Sequence, residues 1–368
     1  MADILKVFKK CSQDGSTIVF LGKRDFIDSL GGTEPINGVV LLDEELNSPF
    51  STLDVLLVCS FRYGVEEKET MGLTFKKELV LSEHSIRRDS LKYWSLLQEK
   101  LVAKFGKNAY PFHLEFPDHC SASVTIVPES LESGEPCGVE YFVRVKHNSL
   151  QKKLSVVNLT VRKIQFAPRN IQRSKKPVTL VRKHLSSGLL ELEASLDNHL
   201  YSHGDEIMVD VNIRNNSNKT VKRISAVVLQ QVDIAMFKGG NQHAVVTNWD
   251  SQDGCPIQPG SSLSRKIYLT PTAESCNRHG LALEGRVKGS DTCLASSTLL
   301  ADTSRRDVFG VIVSYSVKIK LLLGAINGSL SAEIPFVLMH PSPRDRKIMK
   351  KRDTLESVES FGSNEEIA

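Results

Sequence analysis

The 368-residue sequence has no apolar run approaching the roughly 18–20 residues that carry a helix across a bilayer. Its opening, "MADILKVFKKCSQDG", lacks the long apolar core of a signal peptide. Its seven cysteines, Cys11, Cys59, Cys120, Cys137, Cys255, Cys276 and Cys293, are odd in number, scattered and never spaced C-x-x-C. That pattern speaks against a disulfide frame or a zinc site and for free thiols in a reducing compartment. Aromatics are sparse, with two Trp and seven Tyr, and the net charge of +4 is too mild for a bulk nucleic-acid binder. No Gly-rich phosphate loop and no G-x-S-x-G elbow occurs. The expectation is a cytoplasmic protein that is not an enzyme, with no cofactor, no metal and no nucleic-acid partner. The sequons at Asn158, Asn215, Asn218 and Asn327 then read as polar turn residues.

What the chain has in abundance is alternation. In "GVIVSYSVKIKLLL", Val311, Val313, Tyr315, Val317, Ile319 and Leu321 share one face, while Ser314, Ser316, Lys318 and Lys320 share the other. "EIMVDVNIRN" and "GVEYFVRVKH" repeat the pattern, and turn-rich pieces such as "RNNSNKT" and "SQDGCPIQPGSS" separate the segments. Many short strands at this spacing predict antiparallel sandwiches. One helix is expected between Asp89 and Gly106, with Trp94, Leu97, Leu101 and Phe105 on one face and Asp89 or Ser90 capping its start. The linker "APRNIQRSKKPV", flanked by Pro168 and Pro177, divides the chain into two strand-rich halves. After His340 the composition turns basic and then acidic, which predicts a flexible tail.

Three local patterns invite chemistry. His199 and His203 sit four apart, but a metal site would also need convergent acids or cysteines, so a structural role is favoured. "LLELE", residues 189–193, fits a clathrin-binding pattern, yet it also opens the strand "LLELEASLD", and the strand reading is preferred. In "LEGRVKGSDTCLASSTLL", residues 283–300, Glu284 and Asp291 bracket Arg286 and Lys288 between Gly285 and Gly289. With no neighbouring His or nucleophile in sequence, those acids do not suggest catalysis.

A run of motifs resembles the arrestin family. "VFKKCS" (7–12), "LGKRDFIDS" (21–29), "FRYG" (61–64), "MGLTFKKEL" (71–79), "LQEKLVAKFGKNAYPF" (97–112) and "VRKIQFAP" (161–168) carry it in the first half. "LYSHGDEI" (200–207), "NNSNKTVK" (215–222), "DTCLASSTLL" (291–300), "IVSYSVKIKL" (312–321) and "PFVLMHPSP" (335–343) carry it in the second. The resemblance implies an all-β fold of two seven-stranded antiparallel β-sandwich domains joined by a hinge, with one short amphipathic helix in the first. The corresponding boundaries are 1–167, a hinge at 168–178, 179–341, and a tail at 342–368. It also implies a non-enzymatic protein that binds activated, phosphorylated G-protein-coupled receptors and blocks G-protein coupling.

Residue by residue, the resemblance implies a buried charge switch of Asp25, Arg162, Glu284 and Asp291, with Glu284 where vertebrate members usually have Asp. Alternation independently places Arg162 on the face opposite Val157, Leu159 and Val161. Matched phosphate sensors are Lys9, Lys10, Arg24, Lys104, Arg286 and Lys288. The loop entering the receptor cavity matches Val65, Glu66, Glu67, Lys68, Glu69, Thr70, Met71 and Gly72, with Met71 the apolar contact and Val65 replacing a common basic residue. Val7, Phe8, Leu97 and Leu101 match the surface that holds the tail. Ile326 and Leu330 occupy a membrane-touching edge, though a plain turn explains them equally simply.

Departures narrow the expectation. The tail has no arginine after Phe361, and it lacks the clathrin and AP2 adaptor motifs of non-visual members. The inositol-phosphate site is half matched, since Lys318 and Lys320 remain but Ser225, Leu229 and His243 replace cations. The short tail, Glu284 and "GCPIQPGSSL" look most like invertebrate photoreceptor members, which points to rhodopsin as receptor. The alternative is a non-visual trafficking adaptor linking receptors to endocytosis, against which the missing PPxY motif counts. Thr354, ending "KKRDT", is the candidate phosphosite.

Overall fold

The structure is a computed structural model. It describes residues 7–29, 32–43, 52–63, 75–86, 92–117, 120–127, 136–149, 152–166, 177–185, 188–234, 241–251, 254–273, 280–285, 293–299, 310–323 and 328–340. The strands of the first half are β1 (Phe8–Cys11), β2 (Thr17–Leu21), β3 (Asp25–Ser29), β4 (Gly32–Thr33), β5 (Ile36–Leu42), β6 (Thr52–Arg62) and β7 (Lys76–Ile86). After helix α1 (Leu96–Phe105) come β8 (Ala109–Leu114), β9 (Val124–Ile126), β10 (Gly138–Ser149) and β11 (Lys152–Gln165). The second half runs through β12 (Val178–Leu185), β13 (Gly188–Leu196), β14 (Leu200–Ser202), β15 (Ile207–Asn216) and β16 (Arg223–Ile234). It continues with β17 (Asn241–Asp250), β18 (Ser262–Leu269), β19 (Ala282–Glu284), β20 (Val311–Leu322) and β21 (Ser329–Met339).

These strands form two sandwiches, and the alternation explains why. The inward row of β20, from Val311 to Leu321 in steps of two, is buried to 2 % exposure or less, while Ser314 and Lys320 face solvent. Each such Val, Ile or Leu contributes about 1.5–3 kcal/mol by leaving water. In the first half the sheet β1-β2-β5-β8 lies over a larger sheet built on β9-β10-β11-β3-β4, with β6 and β7 continuing from β10. In the second half β12-β13-β15-β18 faces β14-β21-β20-β16-β17. The antiparallel plan is supplemented by two parallel pairs, β11 with β3 and β14 with β21. "LLELE" lies inside β13, with Leu190 and Leu192 fully buried, as the strand reading requires.

The helix differs from expectation at its start. It begins at Leu96, capped by Ser95, whose side chain accepts from the Gln98 N–H; Trp94 precedes it, and Asp89 and Ser90 lie outside the described residues. A serine three residues before the first buried helical position serves the orphan N–H groups more directly than one a turn and more upstream. Gly106 ends the helix at φ 68°, as expected. Leu101 packs with Phe20, Val39 and Ala109 on the outer face of the first sheet, with Val7, Leu97 and Phe105 beside them. Gln98, fully buried, donates to the carbonyls of Gly38 and Phe112 at 3.0 and 2.8 Å, tying the helix to two strands.

Leu330 corrects one expectation. It is 6 % exposed and sits opposite Leu321 on the inward row of β21, so the core holds it away from any lipid surface. Ile326 lies outside the described residues.

Candidate functional site

The site grows from the parallel pairing of β11 and β3, which sets Arg162 beside Asp25. The Arg162 N–H donates to the Arg24 carbonyl at 2.7 Å, and the Arg24 Nε donates to the Thr160 carbonyl at 2.8 Å. This local register points the Arg162 guanidinium along Asp25. Nε reaches Oδ1 at 2.7 Å and Nη2 reaches Oδ2 at 2.8 Å, a two-pronged fork. The third arm, Nη1, donates to the Gly285 carbonyl at 3.3 Å. Arg162 is 4 % exposed, whereas the Asp25 side chain keeps 40 % of its surface in solvent. Burial pushes the guanidinium toward losing its proton. The hydrogen bonds and charge of Asp25, followed by the charge of Glu284, more than offset this, so Arg162 is held firmly charged.

Gly285 comes from the second half of the chain. Strand β19 leaves its own half and joins the first-half sheet beside β9, pairing Ala282 with Ile126 and Glu284 with Val124. The Gly285 N–H donates to the Ser123 carbonyl at 3.2 Å, and a Cβ at Gly285 would lie 2.7 Å from the Ser123 Cβ. Only glycine allows this close approach. The strand is anchored from behind by Gln230, whose amide holds both the N–H and the carbonyl of Ala282.

Glu284 sits at the seam with 7 % exposure. Its Oε2 lies 3.6 Å from the His340 Nε2, and its Oε1 accepts from Ser296 Oγ at 3.5 Å. Its charge also acts on Arg162. His340 follows β21 directly and pairs with Phe166, so it too bridges the halves. His203 lies edge-on to His340, and burial together with His340 pushes its pKa down to about 3, leaving the ring neutral. The Cys293 thiol completes a group with Glu284 and His340 whose ligand atoms all lie within 4.8 Å of one another, the donor set on which a metal could be held. The sequence alone did not connect these residues; the only hint was the charge pattern around Glu284.

A second buried cation was missed. Lys163, next to Arg162, points to the opposite face, into the core, with its side chain 1 % exposed. Its ammonium donates to Asp28 Oδ2 at 2.8 Å and to the Cys120 carbonyl at 2.5 Å. The signal was available, because alternation places position 163 in line with Val157, Leu159 and Val161.

The remaining predicted residues divide. Lys9 and Lys10 are exposed on the edge strand β1, opposite Phe20 and Val19, and Lys104 stands 5.3 Å over the Phe105 ring at the helix end. Arg24 is brought to the Arg162 cluster. Val7, Phe8, Leu97 and Leu101 gather around the helix and β1–β2. Asp291, Arg286, Lys288, Thr354 and all of Val65 to Gly72 lie outside the described residues.

Comparisons with known proteins agree with this architecture. Residues 17–167 match the N-terminal domain, and residues 186–343 the C-terminal domain, of arrestin (or S-antigen). Phosrestin-2 of Drosophila melanogaster is 43 % identical over 361 residues, covering 96 % of this chain and 99 % of its own. The chain belongs to the arrestin family. An arrestin homolog of Heliothis virescens is 46 % identical over 366 residues, covering 97 % of this chain and 95 % of its own. Beta-arrestin arr-1 of Caenorhabditis elegans is 38 % identical over 379 residues, covering 98 % and 86 % respectively. Family membership carries receptor binding of the arrestin kind, by a scaffold and not a catalyst. No helix among the described residues of this arrestin is long and apolar enough to cross a membrane.

Proposed function

We propose that this arrestin binds the activated, phosphorylated form of a G-protein-coupled receptor, rhodopsin, and sterically blocks its coupling to G protein. The observation that carries the mechanism is the Arg162 fork on Asp25, with its third arm on Gly285 of the other half. A buried charge stripped of one partner costs several kcal/mol, so this contact has two discrete conditions, held and broken. A receptor phosphate brings about −1.5 to −2 charges and strong acceptor oxygens. Lys9, Lys10, Arg24 and Lys104 on the first half, with Arg286 and Lys288 on the loop after Gly285, receive those phosphates. Asp291 serves as a further acid of the cluster. The loop from Val65 to Gly72 enters the receptor cavity, and residues 168–178 act as the hinge between domains 1–167 and 179–341. The protein works in the cytoplasm of a photoreceptor cell and is recruited to the membrane by the active receptor.

The relatives named phosrestin support the photoreceptor setting. The seating of "LLELE" within β13 speaks against its use as a clathrin peptide, and so against the trafficking alternative. The test is a pull-down with phosphorylated and unphosphorylated active rhodopsin. Preference for the phosphorylated form is expected, and equal binding removes the sensing mechanism. Arg162→Glu should raise binding to the unphosphorylated active receptor; no increase would mean that Arg162 is not the lock.

A further inference from the structure

We propose that Glu284, Cys293 and His340 form a binding site for a divalent metal ion of the zinc class at the seam between the two sandwiches. Their ligand atoms, one carboxylate oxygen, one sulfur and one imidazole nitrogen, lie within 4.8 Å of one another. Zinc takes these three donor types at about 2.0–2.3 Å, which in tetrahedral geometry separates two ligand atoms by about 3.5 Å. The His340 Nε2 to Glu284 Oε2 distance is already 3.6 Å. With every pair of ligand atoms within 4.8 Å, closing the site asks for shifts of about an ångström, within the reach of rotamer adjustment.

The backbone that presents the ligands is fixed from three directions. The Glu284 N–H donates to the Cys293 carbonyl at 3.0 Å, and Leu283 pairs with Leu294, so these two ligands are neighbours across a short ladder. His340 is held by its pairing with Phe166, the residue directly after the strand that carries Arg162. An outer layer exists as well. Ser296 Oγ donates to Glu284 and lies 3.3 Å from the His203 Nε2, and the His203 ring stands against His340. Such second contacts orient metal ligands and commonly change affinity by about 10–100-fold. His203 Nδ1 is itself buried without a hydrogen-bond partner among the described residues.

The donor set selects the ion. A thiolate with an imidazole favours zinc or a similar transition metal over magnesium or calcium, which prefer oxygen alone. Charge also closes. A divalent cation is neutralised by the Glu284 carboxylate and the Cys293 thiolate, whose proton passes to solvent on binding. Arg162 remains matched by Asp25, so the seam goes from one net negative charge, on Glu284, to neutral. The ion would tie Glu284 and Cys293 to His340, which follows β21.

The test uses the full chain without a metal-binding tag, reduced and stripped with a chelator, then titrated with Co(II). One Co(II) per chain is expected, with a sulfur-to-cobalt charge-transfer band that an equivalent of Zn(II) removes. Cys293→Ser and His340→Gln should each weaken binding by at least about tenfold. Cys11→Ser, at an exposed thiol, should leave the titration unchanged. Because His340 is 2 % exposed and its replacement disturbs a packed seam, the part-buried Cys293 carries the decision. No band, a band that survives Cys293→Ser, or one abolished by Cys11→Ser would overturn the site. The cluster would then be a Glu–His pair beside an ordinary thiol. These readouts need no receptor, so they stand or fall independently of the proposed function.

Discussion

Arg162 and Lys163 are consecutive on β11, each pairs with an aspartate of β3, and they do different things. Lys163 points into the core and is surrounded by first-half partners, Asp28 and the Cys120 carbonyl. Arg162 points to the seam, and its third arm crosses to Gly285 of the second half. Both cations are almost wholly enclosed, but the Asp25 carboxylate is 40 % exposed and the Asp28 carboxylate 23 %. The more accessible acid belongs to the pair that also touches the other half. Burial by itself therefore does not make a switch. In the proposed mechanism, the Arg162 pair differs in that an outside charge would reach it through the more exposed Asp25 and that its third contact lies on the other half.

Asp28→Ala offers the largest effect with which to break this contrast. It strands the Lys163 ammonium in the core and should cost about 3–5 kcal/mol in urea unfolding. The double change Lys163→Met with Asp28→Leu should recover most of that loss, since an apolar pair can replace a static buried ion pair. If the double variant instead becomes indifferent to receptor phosphorylation, the Lys163 pair is no mere strap. Asp25→Ala should cost less, about 2–3 kcal/mol, because Arg162 keeps Gly285 and the charge of Glu284. It should also relax the requirement for receptor phosphate, as judged by pull-down with unphosphorylated active rhodopsin. An unchanged requirement would place the lock elsewhere.

Finer changes sharpen the comparison. Arg162→Lys keeps the charge but loses the fork, and about 1 kcal/mol of stability should go with it, seen as a lower urea midpoint at unchanged slope. A loss as large as that of Asp28→Ala would show the two pairs to be equivalent in kind. Smallest is Glu284→Asp, which draws the carboxylate back by one methylene from His340; less than about 1 kcal/mol is expected. A clear loss of several kcal/mol would make Glu284 a principal holder of the seam.

Much of this was legible before the fold was known. The inward rows of β15 and β20 follow from alternation, the end of α1 from Gly106, and the face of Arg162 from its parity opposite to that of Val161. Asp25 as partner came from the family resemblance. Lys163 was equally readable by parity but carried no family signal, and a lysine in a core row contradicts composition-based expectation. The start of α1 was misplaced because Asp89, Ser90 and Ser95 are all acceptable caps, and only packing of Gln98 and Leu101 against the sheet selects one. Leu330 was open to two readings because a residue beside a loop can face either way, and its pairing with Leu321 turns it inward.

The sequence by itself determined the strand periods and the two halves, because these depend on spacing along the chain, and its motifs carried the resemblance to the family. It did not determine which charges would meet. Arg162 and Asp25 are 137 residues apart, and Arg162 and Gly285 are 123. Glu284, Cys293 and His340 come together only because β19 crosses into the other half and β21 ends beside Phe166. Pairing energy between charges falls with distance in space and is blind to separation in sequence, so only the tertiary structure could bring these groups to account.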